Sequence, residues 1–293
     1  MRFEEIGQQL RAYRLESGLR AEEIAARLGV SRAALYRYEK GEVIKLDTIQ
    51  RLAELLKVSP LSLLGIGVEY YNRPIGYLER VRQIEESADQ ILMMAGAVPF
   101  LTTTDAYDTL LAEALEEVAG GSDAERATLR ATSEQVLGIL AQRKQVYAVR
   151  RPNIICILST TRLQQFLQEG VAAALPLSER LRRRARVVAA GEVESIANLM
   201  EAEPMGLQFG LLAAPEPTSS FKILRSRDRA TTAINPFPPD SHASLPSGVA
   251  MITGAEEAVA AHQRVAEAHW RETLKGNAGA ARLRRVLASF RVN

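Results

Sequence analysis

The sequence predicts a multidomain chain: an all-α N-terminal unit of five helices, a helical middle region and a C-terminal α/β domain. Three observations lead there. Residues 20–41, RAEEIAARLGVSRAALYRYEKG, read as helix, tight turn, helix. Residues 75–150 carry long runs of apolar residues at helical spacing. Beyond Asn153, short β-rich apolar runs alternate with helical ones, the pattern of a layered α/β domain. At 293 residues, two or three domains are expected.

The first helix is expected over 3–17, with Phe3, Ile6, Leu10 and Tyr13 on one face. In the next, Ile24, Ala25 and Leu28 share a face, and Gly29 suits the left-handed exit from a helix. Ser31 is placed to N-cap the third helix, whose buried side is Leu35 and Tyr38. Its opposite face carries Arg32, Ala33, Tyr36, Arg37 and Lys40. This is a helix-turn-helix, with helix 31–40 offering side chains to a DNA major groove. After the loop EVIK, Asp47 is the expected N-cap of a fourth helix ending near Lys57. Ser59-Pro60 opens a short fifth, and the unit, residues 1–67, closes at Gly65-Ile66-Gly67.

Residues 6–64 resemble the helix-turn-helix of the phage Cro/cI repressor family, the XRE type of bacteria. The shared features are Gly18-Leu19, Ile24-Ala25, Leu28-Gly29-Val30-Ser31, Leu35, Tyr38-Glu39-Lys40-Gly41, Leu52-Ala53 and Leu55-Leu56. The chain departs from the family in having Ala21 in place of a usual Gln and Lys45 in place of a usual Pro. One anchoring contact to DNA is therefore missing, and Lys45 offers another to a phosphate. The resemblance implies a transcriptional regulator that binds a double-stranded DNA operator as a homodimer. Arg32 and Arg37 would each make bidentate contacts to guanine, and Ala33 would touch a thymine methyl. Tyr36, Lys40 and Lys45 would hold phosphates, and Ser31 begins this DNA-facing set. It also implies an ion pair between Arg14 and Glu39, tying helix 1 to the end of the recognition helix; the alternative is two solvated charges.

Residues 68–95 read as a linker and a possible dimerisation helix. The stretch GIGVEYYNRPIG has a hinge-like composition, and Leu78, Val81, Ile84, Ala88, Ile91 and Leu92 then recur at helical spacing over 75–95. That stripe packs against either a partner subunit or the chain's own C-terminal domain. In the third domain, residues 96–293, a short strand is expected at 98–101, then helices over 105–119 and 123–150. Further strands are expected at 153–158, 206–213, 220–224, 230–234 and 249–253. Helices are expected at 162–170, 178–190 and 192–200, and a closing helix carrying Trp270 at 255–275. This order resembles, as a pattern only, the phospholipase-D-like regulatory domains attached to some regulators. The catalytic His-x-Lys motif is absent, so the resemblance implies a ligand sensor without the chemistry.

Composition narrows the function. A formal net charge of +2 does not announce a nucleic-acid binder, so DNA affinity must come from a local basic patch such as the exposed face of 32–45. Cys156, the single cysteine, lies in the run IICIL as a buried small hydrophobe rather than a redox sensor. No apolar stretch is long enough for a bilayer, and a cytoplasmic location is expected. His262 and His269 are seven apart, the wrong spacing for a metal pair on a helix, and His242 sits in a loop. Glu192, Glu194, Glu201 and Glu203 read as solvated, and Arg180–Arg186 as a charged surface or an auxiliary anion contact. No catalytic, metal or cofactor site is visible. Two strand-to-helix junctions, Thr102-Thr103 and Ser159-Thr160, serve either as plain N-caps or as the cradle of a small anionic effector. The rival readings are an antitoxin-like or assembly protein and an enzyme fused to a DNA-binding module.

Overall fold

The computed structural model describes residues 3–94, 96–118, 123–213, 220–237 and 248–290. The chain opens with α1 (Phe3–Ser17), α2 (Ala21–Leu28), α3 (Arg32–Glu39), α4 (Leu46–Leu56) and the short α5 (Pro60–Leu63). Gly29 takes φ 71°, the left-handed stop a glycine accepts freely. Ser31 caps α3 by accepting from the Ala34 N–H at 3.1 Å, and Ser59 caps α5 with Pro60 in its first turn. Two details differ from expectation. Lys45, not Asp47, is the N-cap of α4, and Asp47 lies inside the first turn, where the helix dipole still favours its charge. Phe3 is 47% exposed at the start of α1, while Ile6, Leu10 and Tyr13 are buried.

The expected linker is ordered sheet and helix. Val68–Tyr71 form β1, and Pro74–Glu85 form α6, with Arg73 as N-cap. The long apolar helix of 75–95 ends at Glu85, and Gln90–Met94 become β2, a central strand. Ile91 and Leu92 fit the helical period only by coincidence with a buried strand's continuous apolar run. The sheet partners of both strands lie far along the chain, so local spacing could not reveal them.

Residues 100–102 form a 3-10 turn in place of the expected strand, followed by α7 (Asp105–Glu117) and α8 (Asp123–Arg150). Then come β3 (Asn153–Ser159), α9 (Thr160–Glu169) and α10 (Glu179–Ala202). The last is one helix where two were expected, because Gly191 is exposed and simply continues it. An interior glycine costs a helix about 1 kcal/mol but need not end it. The strands β4 (Leu207–Leu212), β5 (Ser220–Arg225), β6 (Ala230–Asn235) and β7 (Ala250–Thr253) precede α11 (Glu256–Arg271). An unexpected helix, α12 (Gly276–Phe290), closes the described chain.

Among the described residues, seven strands form one sheet, ordered β1-β7-β6-β5-β2-β3-β4. The run β2-β3-β4 is parallel, with helical crossovers, and the other pairings are antiparallel. Pleating divides the two faces. Ile91, Met93, Ile154, Cys156, Phe209 and Leu224 point to the side of the N-terminal helices, α10 and α12. Leu92, Met94, Ile157, Leu212, Phe221 and Ile223 point to α11, where Val259 and Ala266 are buried. A second apolar cluster joins α7, α8 and α10 through Leu110, Leu111, Ile139 and Ala185. The N-terminal core is continuous with that of the sheet: Tyr13 stacks on Tyr71 with centroids 5.2 Å apart, and Tyr77 and Val81 of α6 extend the cluster.

Candidate nucleic-acid interface

Helix α3 buries Ala34 and Leu35 and turns its other side outward. Ser31, Arg32, Ala33, Arg37 and Lys40 are exposed, and Tyr36 is half-buried. Lys45 is exposed at the start of α4, so all seven residues expected to face DNA lie along α3 and the loop that follows it. The Arg32 guanidinium donates to the Tyr36 hydroxyl at 3.2–3.3 Å and lies over the ring, 5.3 Å from its centroid. It also pairs with Glu22 at 2.6 Å, while Arg37 pairs with Glu42 at 2.7 Å. These are solvent-exposed pairs, which contribute little in water and exchange readily for a phosphate or a base edge.

The back of α3 is fixed firmly. Arg14 Nε donates to Glu39 Oε1 at 2.5 Å, and Arg14 Nη2 to Glu39 Oε2 at 3.1 Å, with both side chains largely buried. This fork joins α1 to the C-terminal end of α3. Gly7 permits the close crossing beside it, because a Cβ there would lie 2.5 Å from the Tyr38 carbonyl oxygen. The helix presented to solvent therefore rests on a rigid base.

A helix-turn-helix domain family matches residues 5–63. These residues form a helix-turn-helix domain. Over 188 residues, the chain is 29% identical to a Pyrococcus horikoshii protein named as an HTH-type transcriptional regulatory protein, covering 60% of this chain and 58% of that relative. The chain thus spans less than two thirds of the relative's length. It also shows a loose likeness to the solved structure of TrmBL2, described as an archaeal chromatin protein with a novel mode of DNA binding. That likeness covers 92% of this chain and 93% of the other, at 12% identity and a TM-score of 0.31.

What the sequence did not reveal is how the helix-turn-helix domain is held. Glu69 of β1 and Arg80 of α6, both buried, pair through two hydrogen bonds of 2.8 and 3.0 Å. Gln9 of α1 donates to the same carboxylate at 2.6 Å, and the Tyr71 hydroxyl donates to it at 2.8 Å. Burial beside that carboxylate pushes the Tyr71 hydroxyl's pKa up. At the other end of α1, Glu16 accepts the Asn72 and Arg73 N–H groups at 2.6 and 3.0 Å, capping α6. Burial raises the Glu16 pKa from an ordinary 4.5 to about 7, opposed by those two N–H groups. The only hint in the sequence is that Glu69 and Tyr71 alternate within VEYY, as a half-buried strand requires.

At the hydroxyl-rich junctions the side chains make internal contacts. The Thr102 and Thr103 hydroxyls donate to the Pro99 and Phe100 carbonyls. The Thr104 N–H and hydroxyl are taken by the Glu192 carboxylate, which caps α7. Ser159 caps α9, and the buried Thr160 hydroxyl donates to the Leu212 carbonyl at 2.8 Å. These contacts are those of helix capping and of hydroxyls bonded back to the chain. Glu192 is buried rather than solvated, and desolvation raises its pKa. Glu194 and Glu201 hold Arg284 of α12. Arg184, in the basic run of α10, is likewise paired, with Glu113.

Among the described residues no three His, Cys, Asp or Glu side chains gather as a metal site, and no helix is long and apolar enough to cross a membrane. His262 Nδ1 lies 2.8 Å from the Ala258 carbonyl oxygen, and Cys156 is fully buried. His242 lies outside the described residues.

Proposed function

We propose that this chain is a sequence-specific DNA-binding transcription regulator of the Cro/cI type, reading the major groove as a homodimer. The observation that carries the reading is the outward face of α3. Arg32, Ala33 and Arg37 are exposed there and suited in type to base edges, with Lys40 and Lys45 exposed nearby and suited to phosphates, on a helix braced by the Arg14–Glu39 fork. The curated relative's name points the same way. Control by a small ligand is the second part of the reading. It rests on the folded sheet region joined rigidly to the helix-turn-helix, through which differential binding would alter operator affinity. The reading assigns the chain no reaction of its own.

Arg37→Ala is expected to cost about 1–3 kcal/mol on the selected operator and to relax preference at one base pair. Lys45→Ala is expected to weaken all sequences alike and to make the salt dependence shallower. Binding-site selection from random duplexes reads both effects. An Arg37→Ala protein that selects the same site with the same stringency would overturn the assignment of this face.

A further inference from the structure

Lys222 stands in the middle of β5, a strand held between β6 and β2 inside the sheet. It alternates with Phe221 and Ile223, so it shares the helix-side face with its cross-strand neighbour Met93 and with Cys156 beyond. A lysine on the covered face of a central strand needs a partner. Its partner is Glu85, the last residue of α6, whose Oε1 lies 3.4 Å from the Lys222 Nζ. That carboxylate is already held by Arg143 of α8, which donates to it through Nε at 2.7 Å and Nη2 at 2.9 Å. Glu85 and Arg143 are both 3% exposed. One carboxylate therefore serves two cations, and among the described residues neither cation's side chain makes another hydrogen bond.

The cluster also holds a spare donor. The Tyr77 hydroxyl, two turns before Glu85 on α6, is buried and has no hydrogen-bond partner among the described residues. It lies in the field of the same ion pair: burial raises its pKa, Arg143 opposes that rise and Glu85 adds to it. Leaving such a donor unmatched is unfavourable. The Phe100 ring covers Arg143, with 5.3 Å from the guanidinium carbon to the ring centroid, while Lys222 keeps 21% of its side chain open to solvent. The excess of positive charge is felt there: burial and then Arg143 lower the Lys222 pKa to about 8, against the pull of Glu85.

We propose that Lys222, Arg143 and Tyr77 bind the anionic oxygen group, carboxylate or phosphate, of a small ligand. Such a group supplies the missing negative charge and several acceptor oxygens at once. Lys222 gives it a charge-assisted contact at the open side, Tyr77 donates its hydroxyl, and Arg143 keeps its fork on Glu85 with Nη1 left to donate. Helix α6 links this site to the helix-turn-helix. Its Glu79 pairs with Arg11 of α1 at 2.8 Å, and its Gln83 donates to the Gln8 carbonyl at 3.0 Å. A ligand that draws on Tyr77 and Glu85 would bias the seat of α1, and this last step rests on the ligand control proposed above.

The test is titration calorimetry of the full chain, without DNA, with inorganic phosphate and with acetate at matched ionic strength. One saturable site per chain is expected for at least one probe, and the tighter of the two identifies the group. Lys222→Met should weaken that binding by about tenfold or more, and Tyr77→Phe by roughly three- to tenfold. The thermal midpoint of unliganded Tyr77→Phe should not fall below wild type, since the hydroxyl it removes has no partner among the described residues. Should Lys222→Met fail to fold, Tyr77→Phe alone decides. The inference is overturned by the absence of a saturable site for either probe, by equal affinity in wild type and Tyr77→Phe, or by equal saturation with chloride. A site that behaves as expected, with operator affinity the same whether or not the probe is bound, would sustain the inference and sink ligand control.

Discussion

At the scale of single residues, the side chains that fix the helix-turn-helix in place are more constrained than those that would touch DNA. Glu16 is the clearest case. Its carboxylate closes the N-terminus of α6, a favourable place for a negative charge, yet burial raises its pKa to about 7. The folded state therefore holds this proton more tightly than the unfolded chain does. The stabilisation is complete below the ordinary value of 4.5 and is lost as pH rises towards about 7. Glu16→Gln should remove that part of the pH dependence, leaving the variant at least as stable as wild type at pH 8. Thermal midpoints measured from pH 5 to pH 8 check this. Parallel curves for the two proteins would show that Glu16 titrates as it does in the unfolded chain.

At the scale of elements, α1 serves two structures. One side of it braces α3 through Arg14, and another meets β1 and α6 through Gln9, Tyr13 and Glu16. The central tie is the buried Glu69–Arg80 pair. Removing one partner leaves a charge without its counter-ion, so Arg80→Met should destabilise the chain by roughly 3–5 kcal/mol. Adding Glu69→Leu should recover most of that loss, since a buried pair replaced by apolar groups of similar volume is often close to neutral. Gln9 and Tyr71 would then lose their acceptor, so the recovery should be incomplete. Chemical denaturation of the two variants measures both steps. A double variant no more stable than Arg80→Met would mean that the polar network, not the uncompensated charge, sets the energy.

At the scale of the molecule, the reading domain and the sheet share one core instead of being joined by a hinge. Tyr13 and Leu10 pack in the same apolar cluster as Tyr71, Tyr77 and Val81. The fragment 1–67 lacks those partners and would expose that face of α1. It should fold less stably than the same region within the whole chain, and the whole chain should unfold with the two regions coupled. Calorimetry distinguishes the cases. An early transition in the full chain that matches the isolated fragment would show the regions to be independent.

The helix-turn-helix was legible because every signal for it is local. Apolar spacing, the left-handed Gly29 and the Ser31 cap all act within a few residues of one another, and so does the outward set from Arg32 to Lys40. The strands β3 to β7 were also legible, as short apolar runs between turns. What the sequence did not disclose depends on partners distant along the chain. Val68–Tyr71 is a strand because Ala250–Thr253 lies beside it, and residues 90–94 leave the helical pattern because β3 and β5 flank them. Likewise Glu192 is buried because Thr104, 88 residues away, offers it an N–H and a hydroxyl. Local spacing alone determined which helix faces outward with basic side chains. Only the tertiary structure decided that this helix is fixed to a seven-stranded sheet, because the hydrogen bonds and charges that fix it join groups the sequence keeps far apart.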